Sequence, residues 1–288
     1  MPQQDIDALN RAIAEAGADW VAIETPYSRL DGETATSTAM GLALTPEDAY
    51  ADLRSARSSE FNMMVPLPPP PAIDWRANNG NWVTPVRDQS TCGSCVAFAT
   101  VATIESRVLI AENVPDADFD LSEAHLFYCG VPNACGLGWQ PPLALVQAQN
   151  PGIGREASFP YKPGNQPCRP GVPVVVNAGN ASTAATTLAR KQALLEGPVI
   201  ACLAVYGDFF HYGSGVYRHV TGNLAGYHAV CVVGYDDANA CWIAKNSWNT
   251  SWGEKGFFRI RYGECGIDSQ YPFYYPDSVA LVPGTTIP

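Results

Sequence analysis

The chain has 288 residues, 47% hydrophobic and 10% aromatic, enough for one large core or two modest ones and without the compositional marks of disorder. A formal charge of −11 repels phosphate backbones and anionic lipid surfaces, which argues against nucleic-acid and membrane partners. No run approaches the roughly 18 to 20 apolar residues that span a bilayer, and the first 20 residues lack the basic start and apolar centre of a secretory signal.

Residues 4–17 place Ile6, Leu9, Ile13 and Ala14 near helical spacing, and residues 19–24 read as a short strand with Trp20 and Ala22 on one face. Residues 47–57 carry another turn or two of helix. Five prolines follow, Pro66, Pro68, Pro69, Pro70 and Pro71, broken only by Leu67, which is the composition of an extended connector. The boundary is placed there, giving an N-terminal segment over 1–71 and a main domain over 72–288. In the main domain, residues 93–112 read as a long helix, apolar on most faces and therefore central. Residues 121–127 and 143–149 read as shorter helices, and 199–205, 228–235, 241–246 and 256–261 as strands. Helices first and strands later predict an α+β chain with a helical half and a sheet half.

The segment Gln89-Ser90-Thr91-Cys92-Gly93-Ser94-Cys95 sets a cysteine at the first turn of the long helix, where unpaired amides and the helix dipole favour a negative charge. A thiolate attacks a carbonyl far better than a thiol, and a nearby imidazolium lowers its pKa and can protonate a leaving amine. His228 lies 133 residues after Cys95, and Asn246 lies 151 after it. The first is set in Tyr227-His228-Ala229-Val230, which opens a predicted strand; the second is set in Lys245-Asn246-Ser247-Trp248, which closes one.

Over most of the chain beyond the proline connector, from Asp74-Trp75-Arg76 to Cys265-Gly266-Ile267, these motifs and spacings resemble the papain-like cysteine peptidases. The resemblance implies an α+β fold of two subdomains, a helical half and an antiparallel sheet or barrel half, with the cleft between them. It implies Cys95 as nucleophile, His228 as its acid–base partner, Asn246 as the group orienting the imidazole, and Gln89 as an oxyanion donor. Trp248 would shield the histidine–asparagine contact. Gly138, followed by Trp139, resembles the glycine whose backbone pairs with an extended substrate, and Gln270 the floor of the pocket for the second residue before the cut, where an uncharged side chain implies an apolar preference. Val96 and Leu137 depart from the family pattern beside the cleft. Cys92 with Cys135, and Cys129 with Cys168, are the disulfides implied; Cys265 is expected unpaired.

The resemblance further implies a latent form, with the first 71 residues as an intramolecular inhibitor removed by cleavage within 58–71, peptide or protein substrates, and a monomer. No organic cofactor and no metal are expected. A silent peptide-binding homologue, or an amidase or acyltransferase using the same thiol, are the alternative functions. Nine cysteines favour an extracytoplasmic or secreted site of action, although no signal of the usual kind is visible.

Overall fold

The computed structural model describes residues 3–29, 40–61, 68–131 and 134–288. The N-terminal part supplies α1 (Gln3–Glu15), β1 (Val21–Ala22) and α2 (Pro46–Phe61). Ile6, Leu9 and Ile13 form the buried stripe of α1, whereas Ala14 falls off that stripe and is exposed. The strand expected over 19–24 shrinks to two residues, with Trp20 and Ala22 both buried as anticipated. Its pairing with residues 212–214 is irregular between Val21 and Ala22, and the Asn10 carboxamide satisfies both polar backbone groups of Ala22, accepting from its N–H at 2.9 Å and donating to its carbonyl at 3.0 Å.

After the connector come β2 (Ala72–Asp74), α3 (Cys95–Glu112), α4 (Glu123–Gly130) and α5 (Pro141–Gln149). Helix α3 is buried on all sides from Cys95 to Leu109, the central position its apolar composition requires, and it stops at Asn113 in the left-handed conformation. Helix α4 is capped by the Ser122 hydroxyl, which accepts from His125 N–H, and α5 opens with proline in its first turn, where no backbone donor is needed. Next come β3 (Ile153–Gly154), β4 (Val174–Ala178), β5 (Ala181–Ala184) and α6 (Thr187–Leu195). The remainder is β6 (Val199–Tyr206), β7 (Tyr212–Ser214), β8 (Val216–Tyr217), β9 (Leu224–Asp236), β10 (Cys241–Lys245), β11 (Phe257–Arg261), β12 (Phe273–Pro276) and β13 (Val279–Leu281).

Eight strands form the main sheet in the order β5-β12-β6-β9-β10-β11-β8, with β2 also paired to β9. The sheet is mixed and open rather than a closed antiparallel barrel. Strand β8 pairs parallel to β11, and the two ends of the order, β5 and the two-residue β8, do not meet among the described residues. Strand β9 also starts earlier than expected, at Leu224, because its pairing with β6 continues past a bulge to Tyr206↔Leu224. His228 consequently sits inside this strand and not at its start.

One core packs around α3 and the helical half; the second fills the sheet half around Phe209, Trp242, Trp248 and Trp252. Cys92–Cys135 and Cys129–Cys168 are bonded as expected, and Cys95, Cys202, Cys231, Cys241 and Cys265 are free. Of the connector, Pro66 and Leu67 lie outside the described residues. Pro70 O accepts from Tyr235 Oη at 2.7 Å and Pro71 O from Asp237 N at 2.9 Å, which leads the chain along the sheet into β2.

Candidate active site

Cys95 is the first residue of α3 and is fully buried at the seam between the two cores. Its sulfur lies against the backbone N–H groups of Ala229, Val96 and Gly41. Ala229 follows His228 on β9, so helix and sheet bring the thiol and the imidazole strand together. His228 Nε2 and Asn246 Oδ1 are 2.8 Å apart, and the same oxygen accepts from Ser247 N–H at 2.8 Å. Trp248 covers this contact, its ring centroid 4.9 Å from the imidazole. His228 Nδ1 and Asn246 Nδ2 are buried and have no hydrogen-bond partner among the described residues.

Gln89 is buried between the segment that leads to Cys95 and the segment after Asn246. Its Nε2 donates to Cys92 O at 3.0 Å, its Oε1 accepts from Ser247 Oγ at 2.6 Å, and its N–H donates to Ser247 O at 2.9 Å. Tyr161 Oη donates to Gln89 O at 2.8 Å and is 2.8 Å from Ser94 Oγ, which braces the turn entering α3.

The cleft over Cys95 is occupied by the chain's own residues 40–44. Trp139 N–H donates to Gly41 O at 2.8 Å and Ala43 N–H donates to Trp139 O at 2.8 Å, a short parallel pairing along Gly138-Trp139. A Cβ on Gly138 (φ +70°) would lie 2.4 Å from Gly41 O, and one on Gly41 would lie 2.0 Å from Gly93 O. Neither position has room for a side chain, so two glycines permit the close approach. Leu42 and Leu44 are buried beyond this point in one cluster with Cys202, Ala229 and Tyr271, and Tyr271 Oη donates to Leu44 O at 3.1 Å. The Gly41 carbonyl is thus engaged by Trp139 N–H, and its backbone lies in the space above Cys95.

Burial pushes the Cys95 thiol up to about 12, against the stabilising backbone amides, and pushes His228 down to about 4, against its bond to Asn246. Both shifts favour the uncharged forms in the occupied cleft.

Of the residues singled out in the sequence, Cys95, His228, Asn246, Gln89, Trp248, Gly138 and Trp139 converge on this site. Gln270 stands apart: it is exposed and opens on a surface pocket of about 420 Å³ shared with Ser269 and with Pro46, Glu47, Tyr50 and Leu53 of α2. The buried side chain at that turn is the neighbouring Tyr271. Tyr271, Ser247 and Gly41 also belong to the site, and no sequence motif assigned them a role there. The run Met40-Gly41-Leu42-Ala43-Leu44, apolar with a glycine at its second position, was the available sign of Gly41.

Fold and side chains together define a thiol-dependent hydrolase. The pattern of the papain family cysteine proteases matches residues 69–275, and the chain belongs to that family. It is 34% identical over 248 residues to cysteine proteinase 1 of Entamoeba histolytica, covering 80% of this chain and 78% of that one. It is 31% identical over 264 residues to a cathepsin B-like cysteine proteinase 1 of Haemonchus contortus, covering 74% and 76%. Among solved structures, the digestive procathepsin L2 proteinase from Tenebrio molitor larval midgut superposes with a TM-score of 0.78 at 26% identity, over 95% of this chain and 89% of that one.

Proposed function

We propose that the protein is a cysteine endopeptidase held latent by its own N-terminal segment, with Cys95 as nucleophile and residues 72–288 as the working enzyme. The observation that supports this best is the backbone of Gly41 lying between Cys95 and Gly138-Trp139, in the space an extended peptide needs.

Removal of residues 40–44 re-wets the site, and the thiol transfers its proton to His228 Nδ1 to give a thiolate–imidazolium pair. The dipole of α3 favours the anion, and Asn246 holds the ring through Nε2. The sulfur then adds to the carbonyl carbon of a peptide bond. The resulting oxyanion is stabilised by the Cys95 N–H and by Gln89 Nε2 once it exchanges its bond to Cys92 O. Collapse passes the imidazolium proton to the leaving amine and leaves a thioester, which water hydrolyses with His228 as base.

Protein or peptide substrates, a monomeric state and an oxidising extracytoplasmic site of action complete this reading, supported respectively by the occupied cleft, the self-contained cores and the two disulfides. A peptidyl vinyl sulfone that adds covalently to the activated wild-type chain and leaves Cys95→Ala unmodified is the expected result. Modification of a different cysteine, or none, would reject the assignment.

A further inference from the structure

The N-terminal part holds the body at a second place beside the chemistry. Tyr27, 8% exposed, stacks on Trp248 with ring centroids 4.9 Å apart and an interplanar angle of 21°. Its hydroxyl donates to Asp88 Oδ1 at 2.9 Å. That carboxylate is fixed from the body itself: Oδ1 also accepts from Ser90 N–H at 2.8 Å, Oδ2 accepts from Asn249 Nδ2 at 3.2 Å, and Asp88 and Trp248 are joined by a β-bridge. Trp248 is held in turn by Phe210, stacked at 5.4 Å. Ring platform and acceptor thus belong to the body and stay in place when Tyr27 leaves, and a cavity of about 240 Å³ lined by Asp88, Ser90, Thr91, Asn249 and Ser251 already adjoins the phenol.

The location of this seat assigns its use. Gly138-Trp139 lies to one side of Cys95 and pairs with an extended backbone. Trp248 lies with His228, the group that protonates the leaving amine, so the seat faces the departing half of a substrate.

We propose that the Tyr27 seat is a substrate site of the released enzyme, selecting a tyrosine side chain on the leaving-group side of the scissile bond, with Asp88 as the specificity-determining residue. This rests on the peptidase reading above. Stacking on Trp248 serves any aromatic ring, whereas the hydroxyl-to-carboxylate bond separates tyrosine from phenylalanine.

The test uses the full chain activated by incubation under reducing conditions. A peptide amide with a fluorescent amine as leaving group, and no residue after the bond, reads catalysis alone. Internally quenched peptides carrying Tyr, Phe or Ala at the first and second positions after the bond read the seat. At one of those positions the expected kcat/KM is about tenfold higher for Phe than for Ala, and a further three- to tenfold higher for Tyr. In Asp88→Asn and Asp88→Ala the Tyr-to-Phe ratio falls toward one while the Phe-to-Ala ratio persists; the comparison is made within each enzyme, so a change in overall rate does not enter. Hydrolysis of the amide with no tyrosine preference in the wild-type profile would overturn the inference and leave the peptidase reading standing. No hydrolysis of the amide would overturn the reading and the inference with it.

Discussion

Gly41 lies where no other residue fits, since a Cβ there would meet the carbonyl oxygen of Gly93 at 2.0 Å. Overpacking of this kind costs about 1–3 kcal/mol, and here it falls on the docked state of the N-terminal segment alone. Gly41→Val in the full-length chain is therefore expected to react with a thiol-directed peptide electrophile about tenfold faster than wild type; an unchanged rate would mean that residue 41 does not guard the thiol. In the released enzyme, Gln89→Ala should lower kcat by about two to three powers of ten, the usual cost of an oxyanion donor. Steady-state kinetics on the fluorescent amide check this. Gln89, Cys95, His228 and Asn246 were legible because short motifs at fixed separation carry them. Gly41 and Tyr27 were not, because their significance comes from contacts with Gly93, Gly138 and Trp248 that are distant in sequence and follow no period.

At the scale of elements, the N-terminal part grips the body at more places than the Tyr27 seat. Strand β1 pairs with β7, residues 41–43 pair with Trp139, and α2 lies on the sheet half, with Tyr274 Oη reaching Asp52. The grip is linked to pH through His228. Its folded value is about 4 in the closed form, below its ordinary 6.5, because burial disfavours the cation. In Cys95→Ala, where no thiol supplies the proton, a cleft that opens and re-wets the ring takes one from solvent, so the closed form is fully favoured above about 6.5 and loses ground as pH falls toward about 4. Cutting of the N-terminal segment of Cys95→Ala by an added protease, normalised to that of an unstructured peptide, should rise through that window; a flat ratio would show that opening does not expose the imidazole. The large elements were readable from composition and periodicity, α3 above all. The short strands β2, β5, β12 and β13 were not, since three or four residues hold no period and these exist only through their partners.

Over the whole molecule, two cores meet along a seam that also buries charge. Glu105 on α3 accepts from Thr84 Oγ1 at 2.5 Å and from Leu121 N–H at 2.8 Å, and Lys245 Nζ donates to the same threonine at 3.1 Å. Burial pushes Glu105 up to about 7 against the attraction of Lys245, and pushes Glu123 beside it up as well. A raised carboxyl keeps its proton in the folded state while the unfolded chain releases it, so its contribution to stability declines as pH rises from about 4.5 to about 7. In a Cys95→Ala background, the stability of Glu105→Gln relative to its parent should rise across that interval in denaturant unfolding. A constant difference would show that Glu105 does not titrate between the folded and unfolded states in this range. None of this seam was visible in the sequence, where Glu105 is one acidic residue in an apolar helix.

A thiol peptidase closed by its own N-terminal segment must show its opening and its activity in one time course. Full-length wild type and Cys95→Ala are incubated under reducing conditions while hydrolysis of a fluorogenic peptide and chain mass are followed together. A lag is expected, then activity rising as the N-terminal segment is lost, and neither change in Cys95→Ala. Immediate full activity of the uncut chain, or equal hydrolysis by Cys95→Ala, would contradict it.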